Sequence, residues 1–278
     1  MITGITKIFG LLGHPIAQVR SPQEMNILFE SNQLDAVMVA FDVPEAGLAG
    51  CFDGLARIGN VEGLGITVPH KISAMALCQD LSPRARLVGA VNVMRRVGEY
   101  AFAGDMLDGE GFVAGLAAAG YMVAGRRICI VGAGGAASAI AVALAERQPA
   151  ALTLINRSQK RLHALYERLV MYFPALDIRI GQGVGGHDLV INATSLGLRE
   201  EDPLPFDPEQ VGPGVLVAEI IMTSAITPIL HAALRQGAAI HPGRAMLNGQ
   251  LGAIFQYFSE GGRIPYRQCA SHVSCRQD

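Results

Sequence analysis

The sequence predicts an α/β protein built as two units with a cleft between them. Three observations carry that prediction. Short apolar strand signals alternate with helical ones along most of the chain, the pattern of sheets covered by helices. An apolar strand starting at Arg127 runs straight into the turn Gly132-Ala-Gly-Gly135, which opens an alanine-rich helix reaching Ala145. The chain has 278 residues, enough for two compact units, and 50% of them are hydrophobic against 17% charged.

Taken in order, residues 7–12 read as the first strand. Ser21-Pro22 reads as a helix N-cap followed by proline at the first helical position. Residues 35–43 form a second strand, 45–58 a helix, 63–67 a third strand and 71–78 a short helix. Residues 88–97 and 100–104 read as paired strands around Gly98-Glu99. The second unit starts near Asp108, with a helix over 111–120, the glycine turn, and strands near 152–155, 188–192 and 215–221. A helix over 228–236, a short strand at 238–240 and a long helix over 245–258 complete the pattern. Residues 263–278 are polar and mixed and carry no assigned role. No repeat, low-complexity segment or Ser/Pro linker is present.

The glycine turn is a dinucleotide-binding fingerprint in the context such a fingerprint needs. Gly132 makes the tight turn, Gly134 lets the backbone approach a pyrophosphate, and Ala137 lets the helix pack close to its strand. Gly135 and Ala136 begin the helix whose free N–H groups face the phosphates. After the next strand an NAD site usually places Asp or Glu to accept from the ribose 2′-hydroxyl. Here Asn156-Arg157-Ser158-Gln-Lys160-Arg161 offers cations and no acid before Glu167. Arginine clamps phosphate bidentately, so the cofactor expected is NADP.

Composition excludes several classes of function. A net charge of −2 provides no field for nucleic acid or an anionic membrane. No apolar run is long enough to span a bilayer, and the start lacks a signal-peptide pattern. The five cysteines are scattered, form neither a zinc pattern nor a CxxC pair, and point to a reducing compartment, read as the cytoplasm. Cys129, in an apolar strand, reads as inert core. His14, His70 and His187 lack metal-ligand spacing, and no metal site is expected.

Nine short motifs, in order, resemble the shikimate dehydrogenase family from about Gly10 to Gly261. They are Gly13-His-Pro-Ile with Ser21-Pro22 and Asn26; Gly65-Ile-Thr67-Val-Pro69-His-Lys71; Gly89-Ala-Val-Asn92; Gly104-Asp-Met-Leu-Asp108-Gly109-Glu-Gly111-Phe112; Gly132 to Ala137; Asn156-Arg157; Ile191-Asn-Ala-Thr194-Ser195-Leu-Gly197; Thr227-Pro228; and Gly243-Arg-Ala-Met-Leu-Asn-Gly-Gln250. The resemblance implies an NADP- or NAD-dependent reductase of a cyclic polyhydroxy ketone, usually interconverting 3-dehydroshikimate and shikimate, sometimes acting on quinate. It implies a catalytic pair, Lys71 and Asp108, and substrate contacts from Ser21, Thr67, Asn92 and Gln250. On the cofactor side it implies Gly132, Gly134, Gly135, Ala136, Asn156, Arg157, Arg161, Thr194 and Ser195. The fold implied is an N-terminal substrate domain (1–107) and a Rossmann-type, doubly wound NADP-binding domain (108–240), with a C-terminal helix (241–278) returning to the first. The partner expected is a small cyclic polyol, with the protein a monomer or homodimer.

The chemistry asks for such residues independently. Moving a hydride to or from a secondary alcohol must be coupled to proton movement at its oxygen. A positioned lysine holds that oxygen, and a carboxylate orients the lysine. The pair reads equally as a proton shuttle and as an electrostatic clamp.

The chain departs from the family in a concentrated way. The usual His-Ser-x-Ser-Pro reads Gln18-Val19-Arg20-Ser21-Pro22, and a later histidine is Met25. The Asn-Thr before the catalytic Asp is Met106-Leu107, and the Thr after Asn92 is Val93. The Asp-x-x-Tyr motif reads Glu219-Ile-Ile-Met222. In the family the two serines and the tyrosine contact the substrate carboxylate, so two of three hydroxyls are apolar here. Each lost hydrogen bond to a charged group costs roughly 1.5–3 kcal/mol. Arg20 is the candidate replacement.

Overall fold

In the computed structural model, which describes residues 2–199, 201–222 and 224–260, the strands form two six-stranded sheets. The first comprises β1 (Lys7–Gly13), β2 (Ala36–Asp42), β3 (Val61–Ile66), β4 (Asp80–Leu81), β5 (Val93–Arg96) and β6 (Phe102–Asp105), in the order β2-β1-β3-β5-β6-β4. β1 pairs in parallel with β2 and β3, and β4 with β6, while β5 runs antiparallel to both its neighbours. Helices α1 (Ser21–Ser31), α2 (Leu48–Ala56) and α3 (Pro83–Val88) connect these strands.

Helix α4 (Asp108–Ala118) leads to the second sheet, made of β7 (Arg127–Val131), β8 (Ala151–Ile155), β9 (Ile178–Ile180), β10 (Leu189–Asn192), β11 (Leu216–Glu219) and β12 (Ala239–His241). Its order is β12-β11-β10-β7-β8-β9 with every pair parallel. The order reverses between β7 and β10, the switch point where a doubly wound sheet opens its ligand crevice. Helices α5 (Gly135–Ala145), α6 (Gln159–Tyr172) and α7 (Pro228–Arg235) cover it, and α8 (Arg244–Ser259) follows. In α6 the buried Leu162, Leu165 and Leu169 recur at helical spacing and pin one face to the sheet. Each such burial is worth roughly 1.5–3 kcal/mol.

α8 packs back on the first unit, where Ile254 and Phe258 share a core with Phe9, Phe29 and Met38. It crosses α4 at backbone distance. A Cβ on Gly249 would overlap the Gly111 carbonyl, and one on Gly115 would lie 2.7 Å from the Ala245 carbonyl oxygen. These close approaches seat α8 on α4, with Gln250 directly after Gly249 and Asp108 one turn before Gly111. Among the described residues no helix is long and apolar enough to cross a membrane.

Several elements differ from the sequence expectation. The segment 88–97 is not one strand. Ser82 caps α3 by accepting from the Ala85 N–H at 3.0 Å, and α3 ends on Gly89 at φ +74°, so β5 starts only at Val93. The expected helix at 71–78 is a 3₁₀ segment, Ser73–Leu77, and the helix at 45–58 is a 3₁₀ turn, Glu45–Gly47, followed by α2. Ser21 is the first residue of α1 rather than its cap. Arg20 takes the cap position without a side-chain bond. α4 begins at Asp108, three residues before the expected start, and the edge strand β9 was not anticipated. Cys129 is fully buried and its thiol is pushed up to about 12 by desolvation, consistent with inert core. Of the expected returning segment, 261–278 lies outside the described residues.

Candidate active site

Lys71 follows β3 by five residues, held by the Val91 N–H, which donates to its carbonyl at 2.8 Å. Its side chain is 14% exposed, and its Nζ donates to Asp108 Oδ2 on the first turn of α4, a carboxylate 3% exposed. The other carboxylate oxygen accepts from Asn92 Nδ2 at 2.8 Å. Asn92 Oδ1 in turn accepts from the Leu107 N–H at 2.8 Å. Asn92 therefore fixes Asp108 from two sides, a positioning role that the sequence did not reveal. Gln250 of α8 completes the group, its Oε1 3.5 Å from Asn92 Nδ2. Lys71, Asp108, Asn92 and Gln250 thus meet although they lie on four different segments.

The expected substrate contacts are not all in that group. Thr67, half-buried just after β3, donates its backbone N–H to the Leu12 carbonyl at 2.9 Å and packs its methyl against Gly13. Ser21 is half-buried at the start of α1. Arg20 is exposed, and its guanidinium donates at 3.4 Å to Gln23 on its own helix.

Four of the altered positions converge, while Met106 lies in a different buried cluster. Met25, Val93 and Leu107 belong to one apolar cluster with Phe9, Leu11 and Phe29, and Val19 packs against it. Four residues scattered over ninety positions of sequence form a single patch, and one of them, Leu107, immediately precedes Asp108. Sequence spacing gives no signal of this, because the patch is assembled by β1, α1, β5 and the start of α4. Met222 is 36% exposed in the loop after β11.

The second unit supplies a cradle that fits a dinucleotide. Gly132 has φ +130°, and a Cβ there would lie 2.6 Å from the Ala193 carbonyl oxygen, so only glycine allows the turn. A Cβ on Gly134 would meet nothing within 4 Å, leaving open space at the N-terminus of α5. Gly135 abuts the Lys71–Asp108 group, since its Cβ would sit 3.2 Å from Lys71 Cβ. The expected cofactor helix start, Gly135-Ala136, therefore touches the expected catalytic lysine. Thr194 is held by Asn192, whose Oδ1 accepts from the Thr194 hydroxyl at 2.7 Å, and Ser195 follows it in the same turn. Asn192 Nδ2 also donates at 3.4 Å to Glu219 Oε2. Burial raises the Glu219 carboxyl against the lowering effect of the bond from Asn192. Beyond β8, Asn156 Nδ2 donates to the Ser158 carbonyl at 3.0 Å, and Arg157, Lys160 and Arg161 are exposed around it. This is a cationic rim without an acid, the chemistry a ribose phosphate requires.

Comparison with known proteins agrees with this geometry. Residues 11–94 match the family model described as shikimate dehydrogenase substrate binding domain, and 116–197 match that for shikimate / quinate 5-dehydrogenase. The NADP(+) shikimate dehydrogenase of Rubrobacter xylanophilus is 38% identical over 253 residues, covering 88% of each chain. Among solved structures, the Thermus thermophilus shikimate 5-dehydrogenase in complex with NADP(H) and shikimate is similar with TM-score 0.81 and 30% identity, over 91% of this chain and 94% of that one. A 5-ketofructose reductase of Gluconobacter is also similar, with TM-score 0.78 and 28% identity, over 91% and 93% of the two chains.

Proposed function

We propose that this chain, which belongs to the shikimate dehydrogenase family, moves a hydride between NADP(H) and a ring carbon of a small cyclic polyol, 3-dehydroshikimate and shikimate being the reference pair. It is an NADP-dependent oxidoreductase. The observation that carries the reading is the Lys71–Asp108–Asn92–Gln250 group pressed against Gly135 of the nucleotide turn. On this reading residues 1–107, with α8 returning, form the substrate side and 108–240 the cofactor side.

When bound, NADP+ supplies the hydride acceptor. A substrate hydroxyl must lose its proton as its carbon gives up the hydride, and the Lys71–Asp108 pair takes that proton. Asn92 keeps Asp108 in place for it. Thr67 and Gln250 hold the remaining ring hydroxyls, and Ser21 the far end. Gly132, Gly134, Gly135 and Ala136 give the pyrophosphate its backbone donors. Arg157 and Arg161 clamp the 2′-phosphate beside Asn156, with Thr194 and Ser195 lining the nicotinamide side. The direct test is NADPH formation from NADP+ with shikimate and with quinate, in wild type and Lys71→Ala. Turnover that vanishes in the variant while NADP+ still binds supports the reading. NADP+ binding without turnover of any polyol points instead to a silent regulatory relative.

A second reading has its own observation. Val19, Met25, Val93 and Leu107 pack as one apolar patch, and Arg20 bonds along its own helix. That arrangement favours a polyol ketone whose corresponding end bears no charge. Similarity to a reductase of an uncharged ketose is in line with it. Arg20→Ala separates the readings: a KM for shikimate raised tenfold or more assigns Arg20 to a carboxylate, and an unchanged KM removes it from the site.

A further inference from the structure

We propose that Arg168 is a latch through which α6 holds the substrate-side loop Gly89–Asn92 against the cofactor-binding unit. It builds on the NADP reading above but makes its own claim about the resting protein. Lys71 and Asn92 join the two sides at Asp108, on the first turn of α4. Arg168 makes a separate tie that does not pass through α4. From the middle of α6, its Nη1 donates to the carbonyl of Val88, the last residue of α3. Its guanidinium also lies over Gly89, where a Cβ would come 2.7 Å from Nη1 and 3.0 Å from Cζ. Gly89, at φ +74°, is thus excluded from carrying a side chain both by its backbone and by the latch.

The bonded carbonyl lies four residues before Asn92. Between them the chain makes two further ties, Val91 N–H to the Lys71 carbonyl at 2.8 Å and Asn92 N–H to the Asp105 carbonyl at 2.9 Å. A shift at Val88 therefore reaches the backbone of Lys71 and the side chain that grips Asp108. Beside this contact Pro83, Leu87, Glu146 and Tyr172 border an open surface pocket of about 470 Å³. Apolar packing shares the seam, since Val88 and Leu169 belong to one buried cluster, and Arg168 adds the directional polar tie.

The other end of α6 carries the cationic rim. Arg161 precedes Arg168 by seven residues, two helical turns, so both project from nearly the same face about 10 Å apart along the axis. Leu162 and Leu165 between them, and Leu169 just beyond, fix the helix to its sheet as a rigid spacer. Occupation of the rim by the ribose phosphate biases the position of α6, and Arg168 passes that bias to the loop bearing Asn92. Arg168 is a positioning residue: it touches neither substrate nor cofactor.

Amide hydrogen exchange over 89–93, on the full chain, tests this with two arms. Without ligand, Arg168→Met should speed exchange at Val91 and Asn92 about tenfold, and an unchanged rate overturns the latch. At saturating NADP+, wild type should gain protection at these amides. Arg168→Met should bind NADP+ within twofold of wild type yet gain none, an outcome that a merely structural role does not produce. Full NADP+-induced protection in the variant, or none in wild type, overturns the coupling. If Arg168→Met fails to fold, Arg168→Lys, which keeps the charge and loses the fork, should show the same pattern at smaller amplitude. Failure of wild type to bind NADP+ would defeat the functional reading, while the ligand-free arm would still decide the latch.

Discussion

The two ends of the proposed substrate site are built by opposite means. At the catalytic end four polar side chains bond one another, and both oxygens of Asp108 are engaged. At the α1 end, Val19, Met25, Val93 and Leu107 merge into the apolar core of the first unit. The first end is a fixed hydrogen-bond network in a nearly dry setting, where each bond also restrains its neighbours. The second offers packing and little polarity. On the proposed function, the difference teaches that chemistry and recognition occupy separate segments: α4 and the loop after β3 would hold the reaction, while α1 and the start of β5 would set the shape of the other end.

The sharpest way to break this contrast is at Lys71. Lys71→Ala should lower kcat by ~10³ while NADP+ affinity stays within twofold, because only the catalytic end is touched. Equal loss of kcat and of NADP+ binding would mean that the network is structural support for the cradle. Next comes the cofactor rim. Arg157→Ala with Arg161→Ala should raise KM for NADP+ by ~10² and leave that for NAD+ nearly unchanged, since two charge-assisted clamps are removed. Restoring a hydroxyl at the apolar end, Val19→Ser, should improve kcat/KM for shikimate roughly tenfold, the value of one hydrogen bond to a charged group. No improvement would mean that this end does not face the carboxylate.

The smallest effect concerns stability alone. Burial raises the Glu219 carboxyl, so the folded state binds its proton more tightly than the unfolded chain does. The protonated form carries no penalty at pH below the ordinary glutamate range, and stability falls as pH rises through the raised folded value. Glu219→Gln should therefore raise Tm at pH 7 slightly, with the gain disappearing at pH 4. A Tm loss at pH 7 would show that the charged carboxylate is what Asn192 holds.

Much of this arrangement was legible in the sequence, for definite physical reasons. The Rossmann unit declared itself because strand, glycine turn and helix are contiguous from Arg127 to Ala145. The proposed catalytic pair is legible through motif order, not spacing, since Lys71 and Asp108 meet only after β5 and β6 fold back between them. α3 was missed although Ser82-Pro83 repeats the helix-start signal read at Ser21-Pro22; the apolar run after Gly89 masked it. The shared patch of Val19, Met25, Val93 and Leu107 and the reach of Arg168 to Val88 depend on tertiary contacts with no local signature. The double grip of Asn92 on Asp108 and the Leu107 N–H was hidden for the same reason.

The most direct test of the contrast compares shikimate with its methyl ester, the same ring without the charge, as substrates of wild type with NADP+. A site whose chemistry is intact but whose α1 end is apolar should use the ester at least as well as the acid, with both activities lost in Lys71→Ala. A preference for the free acid of 100-fold or more would contradict the account and show that a carboxylate is still recognised there.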